Sequence, residues 1–417
     1  MPLTFEVFPS IGICRVGSSE TFFLGPEPNE EAPRGFRDGA RELLRQGARF
    51  RVFECERDDS GKLVRATELT SDTVQIEWTV HLANRKAAAP KFLNNGRVNT
   101  DPTIRRNGAT GDDSRDAPLI IDAGAQQVSG RNSPKVVLDA GGFGDQKVVL
   151  GDIRTDDLGR LIVAGGFGRS ESPTNQGILD FADNDGWFDD TSDGPIEASV
   201  QLPDGRRERA IPAWVICCQP DFAPFVQNLV TAYDLLYDLG VQRGLLPPPP
   251  ARPIFDRDIW PIFQRAAGYA WVNRNAASGH SPGSGAGAFE DMLEQLRDPS
   301  PASAQLRKLL FDRLRDPTKL RSVATRGMPA LFSDEYNEHR TDRQVVLPLT
   351  ATQYAMMRAW VNGNFEPADD GTVRPDLLPE ALTRMQLSSC AGGAFFPGIE
   401  VGRQARVPQI YMDRAAF

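Results

Sequence analysis

Pro247 to Pro250 are four consecutive prolines, and no α-helix or inner β-strand can run through them. Each lacks the backbone N–H that both ladders need and fixes φ near about −65°, so the run is a stiff, extended segment. Leu245-Leu246 leads into it. The run reads as an interdomain connector, and the sequence on its two sides must be read separately.

The two sides differ in period. On the N-terminal side Thr4–Phe8, Ala48–Glu54 and Val74–His81 are β-rich, and Arg57-Asp58-Asp59-Ser60-Gly61 is a turn signal. Residues 91 to 116 are polar and read as an exposed loop. Lys147–Arg154 and Arg160–Ala164 predict a hairpin across Asp156-Asp157-Leu158-Gly159. Ile196–Leu202 and Arg209–Val215 repeat the pattern around Pro203-Asp204-Gly205. After Pro220 the apolar spacing becomes helical. A helix is expected over Phe225–Leu239, ending at Gly240. Further helices are expected at Phe289–Arg297, Ser303–Arg315, Ala351–Asn362 and Pro379–Ser389, the third opened by a Thr350/Gln353 capping box. A Gly/Ser loop at 278–287 interrupts them. The 38 glycines and 32 prolines fit many turns and ordered loops rather than a bundle. The expected class is α+β: a β-rich domain of antiparallel sheets or a sandwich at 1–224, a helix and proline-rich connector at 225–250, and a helix-rich domain at 251–417.

Several function classes fall away. A net charge of −9 argues against nucleic acid or an anionic membrane as the main partner. No run of about 18 apolar residues exists to span a bilayer. The first residues lack the basic start and apolar run of a signal peptide, so the cytoplasm is the expected location. The five cysteines, Cys14, Cys55, Cys217, Cys218 and Cys390, include no CxxC spacing, and His81, His280 and His339 are the only histidines. Neither a disulfide framework nor a zinc or histidine-rich metal centre is expected.

Each motif has a plain structural reading beside its functional one. Gly165-Gly166-Phe167-Gly168 follows a strand, but Glu171 stands where a dinucleotide fingerprint needs its third glycine, so a tight turn is preferred. Asp180, Asp183, Asp185, Asp189, Asp190 and Asp193 crowd one stretch. Its register is wrong for an EF-hand, with Phe181 and Ser192 at the end positions, so a structural loop outweighs a calcium site. Cys217-Cys218 ends an apolar strand and reads as a buried small-hydrophobe pair. His280, placed in the Gly/Ser loop, can serve as acid, base or substrate contact, although exposed loop histidines are common. His81 follows Trp78 on a strand and reads as a satisfied structural residue. The most informative stretch is Ser389 to Glu400, SCAGGAFFPGIE: a helix ends, a cysteine is followed by Gly392-Gly393, and Phe395-Phe396-Pro397-Gly398 leads to a carboxylate. Glycines there let another group approach the sulfur closely. From composition alone, a tight helix-to-loop turn with an incidental thiol is the preferred reading.

That stretch resembles the signature of the lysine ε-oxidase/glycine oxidase family. Ile11–Gly17 with Phe22–Glu27, Gln46–Arg51, Trp78–Ala87, Asn184–Trp187 with Asp193–Pro195, and Pro220–Pro224 are similar to that family too, in family order along the chain. The resemblance implies a cysteine tryptophylquinone made from the protein's own side chains. It implies oxidation of an amino acid or primary amine by O2, giving a carbonyl product, ammonia and H2O2. Cys390 would supply the cofactor sulfur, and Gly392, Gly393, Phe395 and Phe396 would surround it. Glu400, with His280, is the expected catalytic pair. A flavoprotein maturation partner is implied as well, and self-assembly into a homo-oligomer is a further reading. One departure stands out. The family's partner tryptophan lies several dozen residues past this cysteine, whereas the sequence ends at Phe417 with no tryptophan after Trp360. Acidic residues are missing from 381–389, where Gln386 sits about one helical turn before Cys390. The expectation is a chain cut short and inactive alone. Its rival is a cofactor-free scaffold that keeps the family fold.

Overall fold

The computed structural model describes residues 3–28, 33–59, 61–91, 101, 103–108, 116–179, 183–221, 223, 226–272, 274–280, 288–318, 327–329, 348–368 and 377–392. The chain divides into two compact units, Met1–Phe222 with Asp376–Leu387, and Ala223–Pro375 with Ser388–Phe417.

The first unit is built on strands β1 (Leu3–Phe8), β2 (Ile11–Arg15), β3 (Phe22–Leu24), β4 (Arg45–Arg57), β5 (Leu63–Leu69), β6 (Gln75–Asn84), β7 (Ile121–Ser129) and β8 (Val136–Val137). After a short pair, β9 (Gly142–Phe143) and β10 (Gln146–Lys147), come β11 (Gly151–Thr155) and β12 (Leu161–Gly165). A second short pair, β13 (Ser170–Glu171) and β14 (Phe188–Asp189), precedes β15 (Ser192–Gln201), β16 (Arg207–Arg209) and β17 (Ala213–Cys218). Thirteen of these form one sheet with the central order β7-β6-β15-β17-β2-β4-β12-β11-β8, while β1, β3 and β5 join β4 and β16 joins β15. Most pairings are antiparallel, and β17–β2 and β3–β4 are parallel. The expected β-rich half is present, as is the 156–159 hairpin, where Asp156 Oδ1 accepts from the amides of Leu158 and Arg160 and Gly159 takes φ +78°.

Period-two burial along the strands assembles the main core. In β15 residues 192 to 200 alternate between buried and more exposed, and Ile196, Ala198 and Val200 join Trp78, Val80 and Leu82 of β6. Trp78 is fully buried, with its indole N–H on the Gly159 carbonyl at 2.9 Å. Cys217 belongs to this core and Cys218 is buried beside it. His81 is held by Asp122 at 2.6 Å, as its structural reading expects.

The Gly-Gly-Phe-Gly segment at 165–168 is a turn, with Gly168 at φ +75°. A Cβ at Gly166 would stand 2.5 Å from an Asp190 carboxylate oxygen, so glycine is required for that approach. Asp190 is buried and its carboxyl is pushed up to about 6, chiefly by desolvation, although the amides of Arg169 and Phe167 oppose the shift. The unfolded carboxyl releases its proton near its ordinary 3.8, before the native one does. Stability therefore falls as pH rises from about 4 to about 6. Asp190→Asn removes that penalty, so its stability relative to the parent protein is expected to grow by up to about 3 kcal/mol across this window. Urea midpoints at pH 4 and pH 8 check this, and an offset that stays constant with pH refutes it.

Three other carboxylates of the aspartate-rich stretch are engaged by protein groups. Asp189 holds Lys86 and the Asn84 amide, Asp185 accepts from Lys91 and the Asn107 amide, and Asp193 accepts from Trp214. Arg106, from the region read as an exposed loop, is buried and donates to the carbonyls of Lys86, Asn184 and Trp187. One late helix also belongs to the first unit. Leu382 packs with Phe8, Phe53, Cys55 and Leu63, and Gln386 accepts from the Ile13 amide at 2.9 Å while donating to the Pro26 carbonyl at 3.0 Å.

In the second unit, helix α1 is Ala232–Gln242, α2 Trp260–Gly268, α3 Arg274–His280, α4 Leu293–Arg297, α5 Ala304–Phe311 and α6 Ala351–Val361. The helix carrying Leu382 and Gln386 is α7 (Leu378–Ser388). Two details differ from expectation. Helix α1 starts at Ala232, not Phe225, and runs through Gly240 to a turn at Gly244 with φ +71°. Gly240 is there for packing, since a Cβ would meet the Leu246 side chain at 2.7 Å. The Thr350/Gln353 capping box opens α6 as expected. Phe255, Phe263, Trp360 and Phe365 form the core of this unit. No helix among the described residues is long and apolar enough to cross a membrane.

Candidate functional site

Residues 390–392 lie in the second unit as a short extended piece against residues 230–232. Thr231 and Ala391 form an antiparallel bridge. The Ala232 amide donates to the Cys390 carbonyl at 2.8 Å, and the Gly392 amide donates to the Val230 carbonyl at 3.0 Å. Ala232 is the first residue of α1, so the Cys390 carbonyl satisfies an N–H that the helix cannot use internally. The approach is close enough to exclude a side chain at Gly392. A Cβ there would lie 1.9 Å from the Thr231 carbonyl oxygen and 2.7 Å from the Ala232 nitrogen. The glycine after this cysteine is thus a steric requirement.

Cys390 is fully buried and is not disulfide-bonded. Among the described residues it is a member of none of the three apolar clusters. Its described hydrogen bond is made by its backbone carbonyl to the first amide of α1.

The segment it lies on is fixed from several directions. Leu229 receives two side chains: its amide donates to the Tyr269 hydroxyl at 3.3 Å, and its carbonyl accepts from Gln353 Nε2 at 3.2 Å. The Gln353 side chain does double duty, because its Oε1 caps α6 by accepting from the Thr350 amide at 3.0 Å. Thr231 and Asp234 form a capping box, with Thr231 N–H and O–H both on Asp234 Oδ2 at 2.9 and 3.0 Å. Arg265 of α2 donates to the same oxygen at 2.7 Å. Thr231 and Gln353 are almost wholly buried, where each hydrogen bond strengthens and each unpaired group costs more.

His280 ends helix α3 instead of lying in a loop, and it stacks on Phe289 at a centroid distance of 4.6 Å. Burial holds its imidazole below the usual range, with a smaller push from Arg313, against a backbone hydrogen bond at Gly279. The described contacts of His280 and those of Cys390 share no residue. Glu400, Gly393, Phe395 and Phe396 lie outside the described residues. Sequence reading missed Thr231 as the bridge partner of the cysteine strand, and Asp234, Arg265, Tyr269 and Gln353 as the groups that hold residues 228–231. Thr231-x-x-Asp234 is itself a capping pattern, and it was legible before an apolar run once the helix start is moved.

The N-terminal domain of L-lysine epsilon oxidase matches residues 8–217, and the L-lysine epsilon oxidase C-terminal domain matches residues 329–417. The chain is 30% identical to an L-lysine 6-oxidase from Marinomonas mediterranea (strain ATCC 700492 / JCM 21426 / NBRC 103028 / MMB-1), across 99% of its own length and 64% of that protein. It spans, therefore, about two thirds of the curated relative. The structure of the epsilon-lysine oxidase from M. mediterranea superposes with a TM-score of 0.77 at 29% identity, covering 98% of this chain and 68% of that one. The crystal structure of the Schiff base intermediate of that organism's L-Lys epsilon-oxidase with L-Lys gives 0.76 at 30% identity, with the same coverage. On these matches, which run from the first strands to the region of Cys390, the chain belongs to the L-lysine epsilon oxidase family.

Proposed function

We propose that the protein oxidises an amino acid or another primary amine with O2, giving a carbonyl product, ammonia and H2O2, by means of a cysteine tryptophylquinone that uses the sulfur of Cys390. The observation that carries the proposal is the Cys390 strand: a fully buried thiol without a disulfide, with backbone hydrogen bonds at the Cys390 carbonyl and the Gly392 amide, and with a glycine two residues on that has no room for a side chain. A sulfur that must meet an indole ring in one geometry needs this kind of immobility. When present, the cofactor supplies an electrophilic quinone carbonyl for the amine and takes up two electrons.

The chain's own groups supply proton transfer. His280, whose uncharged form burial favours, has a ring nitrogen able to accept a proton and is the proposed base or substrate contact. Glu400 is proposed as the carboxylate partner by its place in the motif. Gly393, Phe395 and Phe396 are proposed to wall the cofactor beside Gly392. A flavoprotein that matures the cofactor is the proposed partner.

Two measurements test this on the protein expressed from its gene. Peroxide release is assayed with L-lysine, glycine and simple primary amines. The Cys390 peptide is then examined by mass spectrometry for a bond to a tryptophan carrying two added oxygens. Amine-dependent peroxide together with that cross-link is the expected result. Quantitative alkylation of Cys390 as a plain thiol, with no peroxide from any amine, would leave the cofactor-free scaffold instead.

A further inference from the structure

Residues 228–232 gather hydrogen bonds from three separate sources. Tyr269, just after α2, serves the Asn228 side chain and the Leu229 amide, and Gln353 of α6 serves the Leu229 carbonyl. Asp234 serves Thr231, and Arg265 of α2 serves Asp234. The Val230 carbonyl and the Ala232 amide of this segment hold the cysteine strand. We infer that residues 228–232 are a template for the Cys390 turn, and that Thr231, Asp234 and Arg265 are positioning residues that set where the Cys390 sulfur stands. The purpose of that placement rests on the proposed function. The clamp itself does not.

The chain of dependence is short. Asp234 Oδ2 accepts from Thr231 N–H, Thr231 O–H and Arg265 N–H, all between 2.7 and 3.0 Å. Without Arg265, a largely buried carboxylate loses its only cationic partner among its described contacts and is anchored less firmly beside Thr231. Without the Thr231 hydroxyl, the Asp234 amide loses its acceptor at 3.2 Å, and the first turn of α1 loosens where its Ala232 amide meets Cys390. A shift of residues 230–232 carries to residue 390 through the Ala232–Cys390 and Val230–Gly392 hydrogen bonds.

The test uses native-state alkylation with N-ethylmaleimide, read peptide by peptide, with buried Cys55 of the first unit as internal standard. Thr231→Val and Arg265→Leu are expected to raise Cys390 labelling relative to Cys55 by about tenfold, as local opening becomes easier. Thr231→Ser, which keeps the hydroxyl, is expected to restore the parent rate, and a merely bulk-packing role for Thr231 would not give that rescue. Where the parent protein carries the tryptophan cross-link, the cross-linked share of Cys390 falls in the same order. Labelling that stays at the parent rate in both variants overturns the inference. If a variant unfolds as a whole, Cys55 labels in step with Cys390, and hydrogen exchange in the parent protein then decides. Slow, matched exchange at Ala232 and Gly392 supports the template, and fast exchange at either removes it. A parent protein without any cross-link sinks the oxidase reading alone, since the labelling still judges the clamp.

Discussion

Cys390→Ala is expected to abolish amine-dependent peroxide formation while leaving the protein folded. On the proposed function the sulfur is part of the cofactor, so its removal forfeits the whole acceleration, about 10⁶-fold or more, rather than a fraction of it. The structural cost is small by comparison. Cys390 is buried, but its described hydrogen bonds use its backbone carbonyl, which alanine keeps. Removing one buried sulfur atom is expected to cost about 1–2 kcal/mol. Peroxide release and thermal unfolding of the same preparation separate the two effects. Activity retained above a few per cent would show that the thiol is not the cofactor sulfur, and a lost fold would move Cys390 into the structural class.

The largest expected effect on stability is at Asp152. Arg45 is fully buried and spends its guanidinium on Asp152 Oδ2 at 2.8 Å and on the carbonyls of Ser19, Glu20 and Gly165 at 2.8–3.1 Å. It also lies over the Phe167 ring at 4.5 Å. Asp152 is its carboxylate, is itself buried, and also pairs with Arg154. Asp152→Ala leaves the buried cation facing only neutral carbonyls. That is expected to cost about 3–5 kcal/mol, a large part of a typical domain's total stability. Asp152→Asn, which keeps an acceptor but not the charge, is expected to fall between the two. Urea unfolding of the three proteins checks the order, and a loss below about 1 kcal/mol for Asp152→Ala would show that the charge is dispensable.

Much of the fold was legible because its signals are local. Alternating burial marks β6 and β15, the 156–159 turn joins β11 to β12, and Thr350 with Gln353 opens α6. Gly240 misled because a glycine in a helical pattern can end the helix or make room for a neighbour, and only the position of Leu246 distinguishes these. His280 misled in a similar way, since the glycines and serines around it hid the helix it ends. An amphipathic pattern likewise says that one face of α7 is buried, yet not that Leu382 and Gln386 face strands coded more than 300 residues earlier.

What the sequence by itself determined was the β-to-α order and the family, since these rest on residues near one another in the chain. Only the tertiary structure decided which residues hold the segment that pairs with the Cys390 strand. Thr231, Arg265 and Gln353 are separated from it by 159, 125 and 37 positions by their own numbers, and no periodicity relates them. Hydrogen bonds of about 3 Å are made between surfaces that packing brings together, and packing is long-range along the chain.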